Sequence, residues 1–224
     1  MKLNLAASAA AMAMLFAGAA SATVITFDSI GSDATLDVSV SSPYSESGYA
    51  LTSNRTEGFG SFGTSSSNRP AGSTRALYNA GTADDSNGGR GITTLARTGG
   101  ASFDLLGIDL ASFLPVFQDT NYSLTVDFTG IKLDNSTVTD SKIVSYTDTD
   151  SDGVADAYSF QSFTFSGFNG LTSVSWEQTA KSHQFDNIVL REPTTQTNPA
   201  PEPGSLALAG LALAGLAAAR RAKR

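Results

Sequence analysis

The sequence contains no cysteine among its 224 residues, and it contains a single histidine and a single tryptophan. Without cysteine, neither disulfide bonds nor thiolate metal sites contribute to the protein, and no cysteine nucleophile is available. The sequence also lacks a nucleophile elbow, an H-E-x-x-H pair and a phosphate-binding loop. These absences predict that the chain is not an enzyme.

Basic residues are scarce once the two ends of the chain are set aside. Five of the 14 Lys and Arg residues, but only one of the 21 acidic residues, lie in residues 1–22 and 201–224. The remaining 178 residues therefore carry 9 basic and 20 acidic side chains, a formal net charge of −11. Such a surface repels nucleic acid and anionic lipid, so the sequence excludes nucleic-acid binding and favours solubility or cation binding.

The N-terminus has the three parts of a secretory signal peptide. Lys2 supplies a positive charge, a run rich in Ala, Leu and Met follows, and Ala20-Ser21-Ala22 forms a small-x-small cleavage site. We expect residues 1–22 to form a signal helix that signal peptidase removes after Ala22. The alternative is a membrane anchor that is never cut.

The C-terminus predicts a membrane helix at residues 205–219. This apolar run follows Pro201-Glu202-Pro203 and is followed by Arg220, Arg221 and a short basic tail over residues 220–224. Its length corresponds to roughly 22 Å of helix, which is short for a hydrocarbon core of about 30 Å. The basic tail places the C-terminus in the cytoplasm and the rest of the chain outside it.

Pro-Glu-Pro, a short apolar helix and a terminal Arg/Lys cluster, in this order, resemble the PEP-CTERM sorting signal of Gram-negative bacteria. The resemblance implies that an exosortase recognises residues 201–224, cuts near Pro201-Glu202-Pro203 and sends the protein to the cell surface or the medium. It also implies a setting of exopolysaccharide production. A permanent tail anchor is the alternative.

Between the two ends, residues 23–192 predict one all-β domain, with residues 193–200 as a spacer. Short runs rich in Val, Ile, Thr, Tyr and Phe alternate with Gly, Ser, Asn and Asp, which is typical of an antiparallel β-sandwich. The predicted strands are Val24–Phe27, Thr35–Val40, Gly48–Thr52, Ala76–Tyr78, Ile92–Leu95, Ala101–Leu106, Tyr122–Phe128, Lys142–Tyr146, Ala157–Phe165, Leu171–Trp176 and Gln184–Leu190.

Several of these segments resemble galactose-binding-like jelly rolls. They are Ala76–Asn79, Ser102–Leu105, Leu171–Trp176 and His183–Leu190. The resemblance implies a jelly-roll-like sandwich related to carbohydrate-binding modules and names no ligand. It makes exopolysaccharide a candidate partner.

An acidic segment predicts a calcium site. Asp148, Asp150, Asp152 and Asp156 occupy positions 1, 3, 5 and 9 of an EF-hand-like loop, with Gly153 at position 6 and the Val154 carbonyl at position 7. Position 12 is Ser159 and not glutamate, so the segment resembles the shorter loops of thrombospondin type 3 repeats. We expect a structural Ca²⁺ at this loop; the alternative is a solvated acidic hairpin.

Aromatic residues offer a second candidate site. Tyr44, Tyr49, Phe59 and Phe62 lie in a stretch dominated by Ser, Gly and Asn, where they could stack on a sugar or pack under the loop. Trp176 is expected in the core because its strand alternates. His183 has no nucleophile partner, so we expect a strand that buries Phe185 and Ile188 while Asp186 and Asn187 bond a neighbouring loop.

The sequence thus favours an exported surface or matrix protein that binds polysaccharide and is stabilised by calcium. One alternative is a secreted hydrolase acting on extracellular polysaccharide, since a glycosidase needs only two suitably spaced carboxylates. The other is a purely structural matrix protein.

Overall fold

A computed structural model describes residues 22–31, 35–70, 73–80, 90–112, 121–147, 159–177 and 182–193. All regular elements within these ranges are β-strands, and every strand pair is antiparallel. The predicted all-β, antiparallel class is therefore confirmed. The predicted signal helix and C-terminal membrane helix lie outside the described residues. The chain divides into two compact units, Met1–Pro193 and Thr194–Arg224, and the strands belong to the first.

The strands fall into three sheets. A four-stranded sheet has the order β1-β13-β8-β11, and a six-stranded sheet has the order β10-β9-β12-β7-β4-β3. A three-stranded sheet, β2-β5-β6, adjoins the four-stranded sheet through a bridge between Leu77 and Phe185. The strands are β1 Ala22–Ile25, β2 Val38–Val40, β3 Tyr44–Glu46, β4 Tyr49–Ser53, β5 Phe59–Ser61, β6 Tyr78–Asn79, β7 Ile92–Arg97, β8 Asp104–Ser112, β9 Asn121–Lys132, β10 Thr137–Thr147, β11 Gln161–Thr164, β12 Leu171–Glu177 and β13 His183–Arg191.

The core lies between the four-stranded and six-stranded sheets. Trp176 of β12 packs edge-to-face on Phe185 of β13, with ring centroids 5.0 Å apart, and it also contacts Phe128 of β9 at 5.5 Å. Alternate residues of β9 are buried, namely Leu124, Val126 and Phe128. This alternation matches the period of two that predicted the strand. Two sheets packed face to face around one apolar layer make a β-sandwich.

Several strands are longer than the sequence predicted. Strand β8 continues to Ser112, because Leu110 and Ala111 are buried against β13. Strand β10 begins at Thr137, directly after a tight turn in which Asn135 adopts a φ of +63°. Asparagine tolerates this left-handed conformation better than most residues, so the turn closes a long hairpin with β9.

Both ends of the sandwich domain lie at one pole. Ala22, the first residue of β1, pairs with Arg191, near the end of β13. Arg191 pairs on its other side with Asp104, and its guanidinium donates to the Asp104 carboxylate at 2.8 Å. Arg97 forms a further ion pair with Glu192 at this pole. The chain therefore enters and leaves the domain side by side.

Candidate functional site

The aromatic residues proposed as a sugar platform do not form one. Tyr49 and Phe59 are 2% and 0% exposed, and Phe62 is 5% exposed and stacks on Tyr78 at 4.6 Å. The prediction that these three rings stack on a sugar is wrong, because a sugar needs an open ring face. The three rings are packed inside the fold instead, since Tyr49 lies in β4, Phe59 lies in β5 and Phe62 directly follows β5.

Tyr44 is half-buried and has a structural role. Its ring packs on Phe27 at 5.5 Å, and its hydroxyl donates to Glu46 at 2.6 Å. Glu46 also accepts hydrogen bonds from the backbone N–H groups of Thr26 and Phe27 at 3.0 and 3.2 Å. Burial, followed by the bond to Glu46, raises the pKa of Tyr44 to about 12. The Tyr44 ring thus holds the segment that follows β1 against β3 and does not act as a platform for a sugar.

Strand β13 buries Phe185 and Ile188 as predicted, and it also buries the polar side chains of His183 and Asp186. His183 is fully buried, and this burial lowers its pKa to about 3, so the imidazole stays neutral. Phe185 and Ile188 are both buried in the core. No polymer in solvent can reach a histidine in this position.

Asp186 is a buried carboxylate at an irregularity in β13. It is 2% exposed and lies opposite Asp109 in the pairing with β8, where the register shifts between Asp186 and Val189. Its oxygens accept bonds from the Asn187 N–H at 2.7 Å and the Thr74 hydroxyl at 3.4 Å, and Asn187 donates to Asp109 at 2.8 Å. Burial is the main cause that raises the pKa of Asp186 to about 7. The sequence predicted partners in a loop for both residues: Thr74 is such a partner for Asp186, whereas the side chain of Asn187 bonds Asp109 of strand β8.

Arg75 is a buried cation that sequence reasoning missed. It is 1% exposed, and its guanidinium donates to the main-chain carbonyls of Gly31, Leu36, Ser61 and Phe62 at 2.8 to 3.4 Å. Two of these carbonyls belong to the segment between β1 and β2, and two lie at the end of β5 and directly after it. Arg75 therefore ties the Ser- and Gly-rich segments to the sandwich, and no local sequence pattern indicates this role.

The outer face of the six-stranded sheet is the second feature that the sequence did not indicate. Its outward positions alternate with buried ones and are mostly hydroxyl-bearing, with no aromatic side chain among those described. Asp127 and Glu177 are the charged residues in this set. The outward residues are Ser45, Ala50, Thr52, Ile92, Thr94, Ala96, Ser123, Thr125, Asp127, Thr129, Ile131, Thr137, Thr139, Ser141, Ile143, Ser145, Ser173, Ser175 and Glu177. We call this surface the hydroxyl face.

The predicted calcium ligands Asp148, Asp150, Asp152, Val154 and Asp156 lie outside the described residues, as do Ala20 and the sorting residues Pro201, Glu202, Pro203, Arg220 and Arg221. Ala22 is described and starts β1. Within the described ranges, no three His, Asp or Glu side chains group closely enough to hold a metal ion. The same ranges contain no helix of the length and apolarity needed to cross a membrane.

Comparisons with solved structures find carbohydrate-binding modules at low similarity. A variant of a family 29 carbohydrate-binding module has 11% identity and a TM-score of 0.39, covering 77% of this chain and 92% of the module. The CBM22-1–GH10 modules of Clostridium thermocellum xylanase 10B, solved with xylohexaose, have 11% identity and a TM-score of 0.32 over 76% of this chain and 28% of theirs. A family 11 module from the same organism, solved with a mixed-linked tetrasaccharide, has 9% identity and a TM-score of 0.24 over 78% and 97% of the two chains. At these TM-scores the likenesses carry no argument about this chain.

No curated protein matches the chain. The family model of the PEP-CTERM protein-sorting motif matches residues 199–222, which include the Pro-Glu-Pro triplet, the apolar run and the first two arginines of the basic tail. The chain therefore carries a PEP-CTERM protein-sorting motif at its C-terminus, and this motif implies an exported protein.

Proposed function

We propose that this exported protein is held in the membrane by its C-terminal segment, is cut by an exosortase near Pro201-Glu202-Pro203, and then acts at the cell surface as a non-catalytic β-sandwich that binds polysaccharide. The observation that carries the proposal is the sorting motif at residues 199–222.

The position of the domain's ends supports this route. Ala22 and Arg191 pair in neighbouring strands, so the predicted signal peptide and the sorting motif both continue from one pole. Cleavage after Ala22 would leave Thr23–Ile25 of β1 paired with Ile188–Leu190 of β13, so the sandwich keeps this strand pair after both proposed cuts.

The hydroxyl face supports polysaccharide as the partner. Ser and Thr hydroxyls both donate and accept hydrogen bonds, and sugar hydroxyls do the same. An exposed sheet face normally carries charged side chains for solubility. The scarcity of charge on this face, in a domain with many acidic residues elsewhere, favours a hydroxylated partner over a purely solvated surface.

The placement of His183 and Asp186 supports a non-catalytic role. Both side chains are at most 2% exposed, and both sit between packed strands. A general acid or base must come within hydrogen-bond reach of its substrate. These two residues cannot do so with a polymer unless the sandwich opens.

Contacts that flank the acidic loop support the proposed calcium site at Asp148–Asp156. The Tyr146 hydroxyl donates to the Ser159 carbonyl at 3.0 Å. The Gln161 side chain bonds both the carbonyl and the N–H of Ser145, at 2.5 and 3.3 Å. These contacts hold the end of β10 beside the start of β11, which reduces the entropy lost when the intervening segment closes around an ion.

The experiment compares the wild-type chain with the variant P201A/E202A/P203A in the producing bacterium. We expect the wild type to be shortened and to leave the membrane fraction, and the variant to stay there at full length. The wild type should also be retained on the cell's own polysaccharide. Equal release of both proteins would contradict the sorting step, and absence of retention would contradict the binding step.

A further inference from the structure

One row of the hydroxyl face carries a hydroxyl on each of five neighbouring strands. Thr52 of β4 pairs with Thr94 of β7, Thr94 with Ser175 of β12, Ser175 with Thr129 of β9, and Thr129 with Thr139 of β10. Strands in a sheet are ~4.8 Å apart, so the row extends for roughly 19 Å across the strands. Register alone brings these residues into line, since Thr52 and Thr94 are 42 residues apart in the sequence.

The side chains of the row are available to a ligand. All five residues are exposed or half-buried. Within the described part of the chain, the hydroxyls of Thr94, Thr129, Thr139 and Ser175 make no hydrogen bond, and Thr52 makes a long one of 3.4 Å to the Thr94 carbonyl. The sheet's own backbone groups are already paired between strands. A ligand with repeating hydroxyls could therefore bond these side chains without breaking any contact of the fold.

The charge of the domain selects among such ligands. The row carries no charge, and the domain around it has a formal net charge of −11. The negatively charged domain would repel a polyanionic chain bound along the row, and the row contains no cation to offset this repulsion. A neutral chain is not repelled and needs no cation in the row.

The row itself is poorly suited to bind a second copy of the protein. Protein interfaces are built around apolar and aromatic anchors. The described outward positions contain no aromatic residue, and the exposed isoleucines Ile92, Ile131 and Ile143 lie outside the row.

We infer that the row Thr52–Thr94–Ser175–Thr129–Thr139 is a binding site for a neutral, extended polysaccharide chain that lies across the strands. This inference rests on the proposed polysaccharide-binding function and assigns the site and the ligand's charge class. Recognition is by hydrogen bonds and not by ring stacking. Single-chain affinity is therefore weak, and retention depends on many contacts along the polymer.

The test is affinity electrophoresis of the full-length chain in mild detergent, in gels containing hydroxyethylcellulose, mixed-linkage β-glucan or xyloglucan as neutral probes. Carboxymethylcellulose serves as the anionic comparator. The triple variant T94V/T129V/S175A removes three hydroxyls with little change in shape. The control S162A/T164V removes hydroxyls from the exposed positions of β11 on the other sheet. Circular dichroism and melting confirm that each variant is folded, and the single variants T94V and T129V replace the triple variant if it is not.

We expect retardation of the wild type and the control by at least one neutral gel, and weaker retardation by the anionic gel. The loss of three hydrogen bonds should weaken binding of the triple variant by on the order of 100-fold. Equal retardation of the triple variant would overturn this site while leaving the proposed function intact. Retardation of the wild type by none of the neutral gels would overturn both. A dimer that the triple variant abolishes, without glycan binding, would assign the face to self-association and overturn the inference.

Discussion

Replacing Asp186 by asparagine should stabilise the protein at neutral and alkaline pH and have little effect at acidic pH. Burial raises the pKa of Asp186 from 3.8 to about 7 in the folded protein. The folded state therefore holds this proton more tightly than the unfolded state does. The stability that protonated Asp186 contributes is complete below pH 4 and is lost as the pH rises towards 7.

The size of the stabilisation follows from the shift in the pKa of Asp186. At 1.36 kcal/mol per pKa unit, the ionised carboxylate costs the folded state about 4 kcal/mol above pH 7. Asparagine keeps a side-chain oxygen that can accept from the Asn187 N–H. Its new NH₂ group can donate to the Thr74 hydroxyl. D186N should therefore gain up to about 4 kcal/mol at pH 8, or roughly 10 °C in Tm for a domain of this size, and close to nothing at pH 4.

Urea unfolding followed by fluorescence measures this difference directly. Trp176 is the single tryptophan and is 2% exposed, so its emission reports loss of the core. Titrations of the wild type and D186N at pH 4, 6 and 8 give the pH dependence of the difference. D127N removes an exposed carboxylate from the hydroxyl face and serves as the control for the loss of one negative charge. A difference between wild type and D186N that is the same at pH 4 and pH 8 would refute this reasoning.

Three further predictions concern the core, the loops and the calcium site. W176A should lose about 3 to 5 kcal/mol of stability in urea titrations followed by circular dichroism, because it empties the contact between the two sheets; a loss below 1 kcal/mol would show that this contact is not central. R75M should cost about 3 kcal/mol or more and speed limited proteolysis near Leu36 and Phe62, because it removes a donor from the buried carbonyls of Ser61 and Phe62 and breaks the bonds to Gly31 and Leu36; an unchanged cleavage rate would contradict this role. Wild type should melt higher in millimolar calcium than in chelator, and D150N/D152N should lose that gain; equal melting of wild type in both conditions would rule out the calcium site.

Local sequence patterns predicted the strands well where one face of the sheet is buried and the other is exposed to solvent. The alternation of Leu124, Val126 and Phe128 indicated β9, and their burial confirms it. The placement of Trp176 in the core was also predicted, because an apolar alternating strand has only one side on which to bury a large ring.

The pairing of strands that are far apart in the sequence explains why the burial of some aromatic residues could not be predicted. Phe59 and Phe62 are surrounded in sequence by Ser and Gly, a composition typical of exposed loops. Phe59 nevertheless pairs with Asn79 of β6. Such partners, distant in the sequence, decide the burial of a strand residue. The hydroxyl row has the same origin, because its alignment depends on the register of five strands and on no local motif.

The central claim is that the chain is exported and sorted by its C-terminal motif. Mass spectrometry of the intact protein recovered from the cell surface and medium tests it most directly, because one measurement fixes both termini and any attached group. We expect a chain that begins at Thr23 and ends near Pro201-Glu202-Pro203, without the apolar run and basic tail. A recovered chain that still ends at Arg224 would contradict the sorting step, and one that still begins at Met1 would contradict removal of the signal peptide.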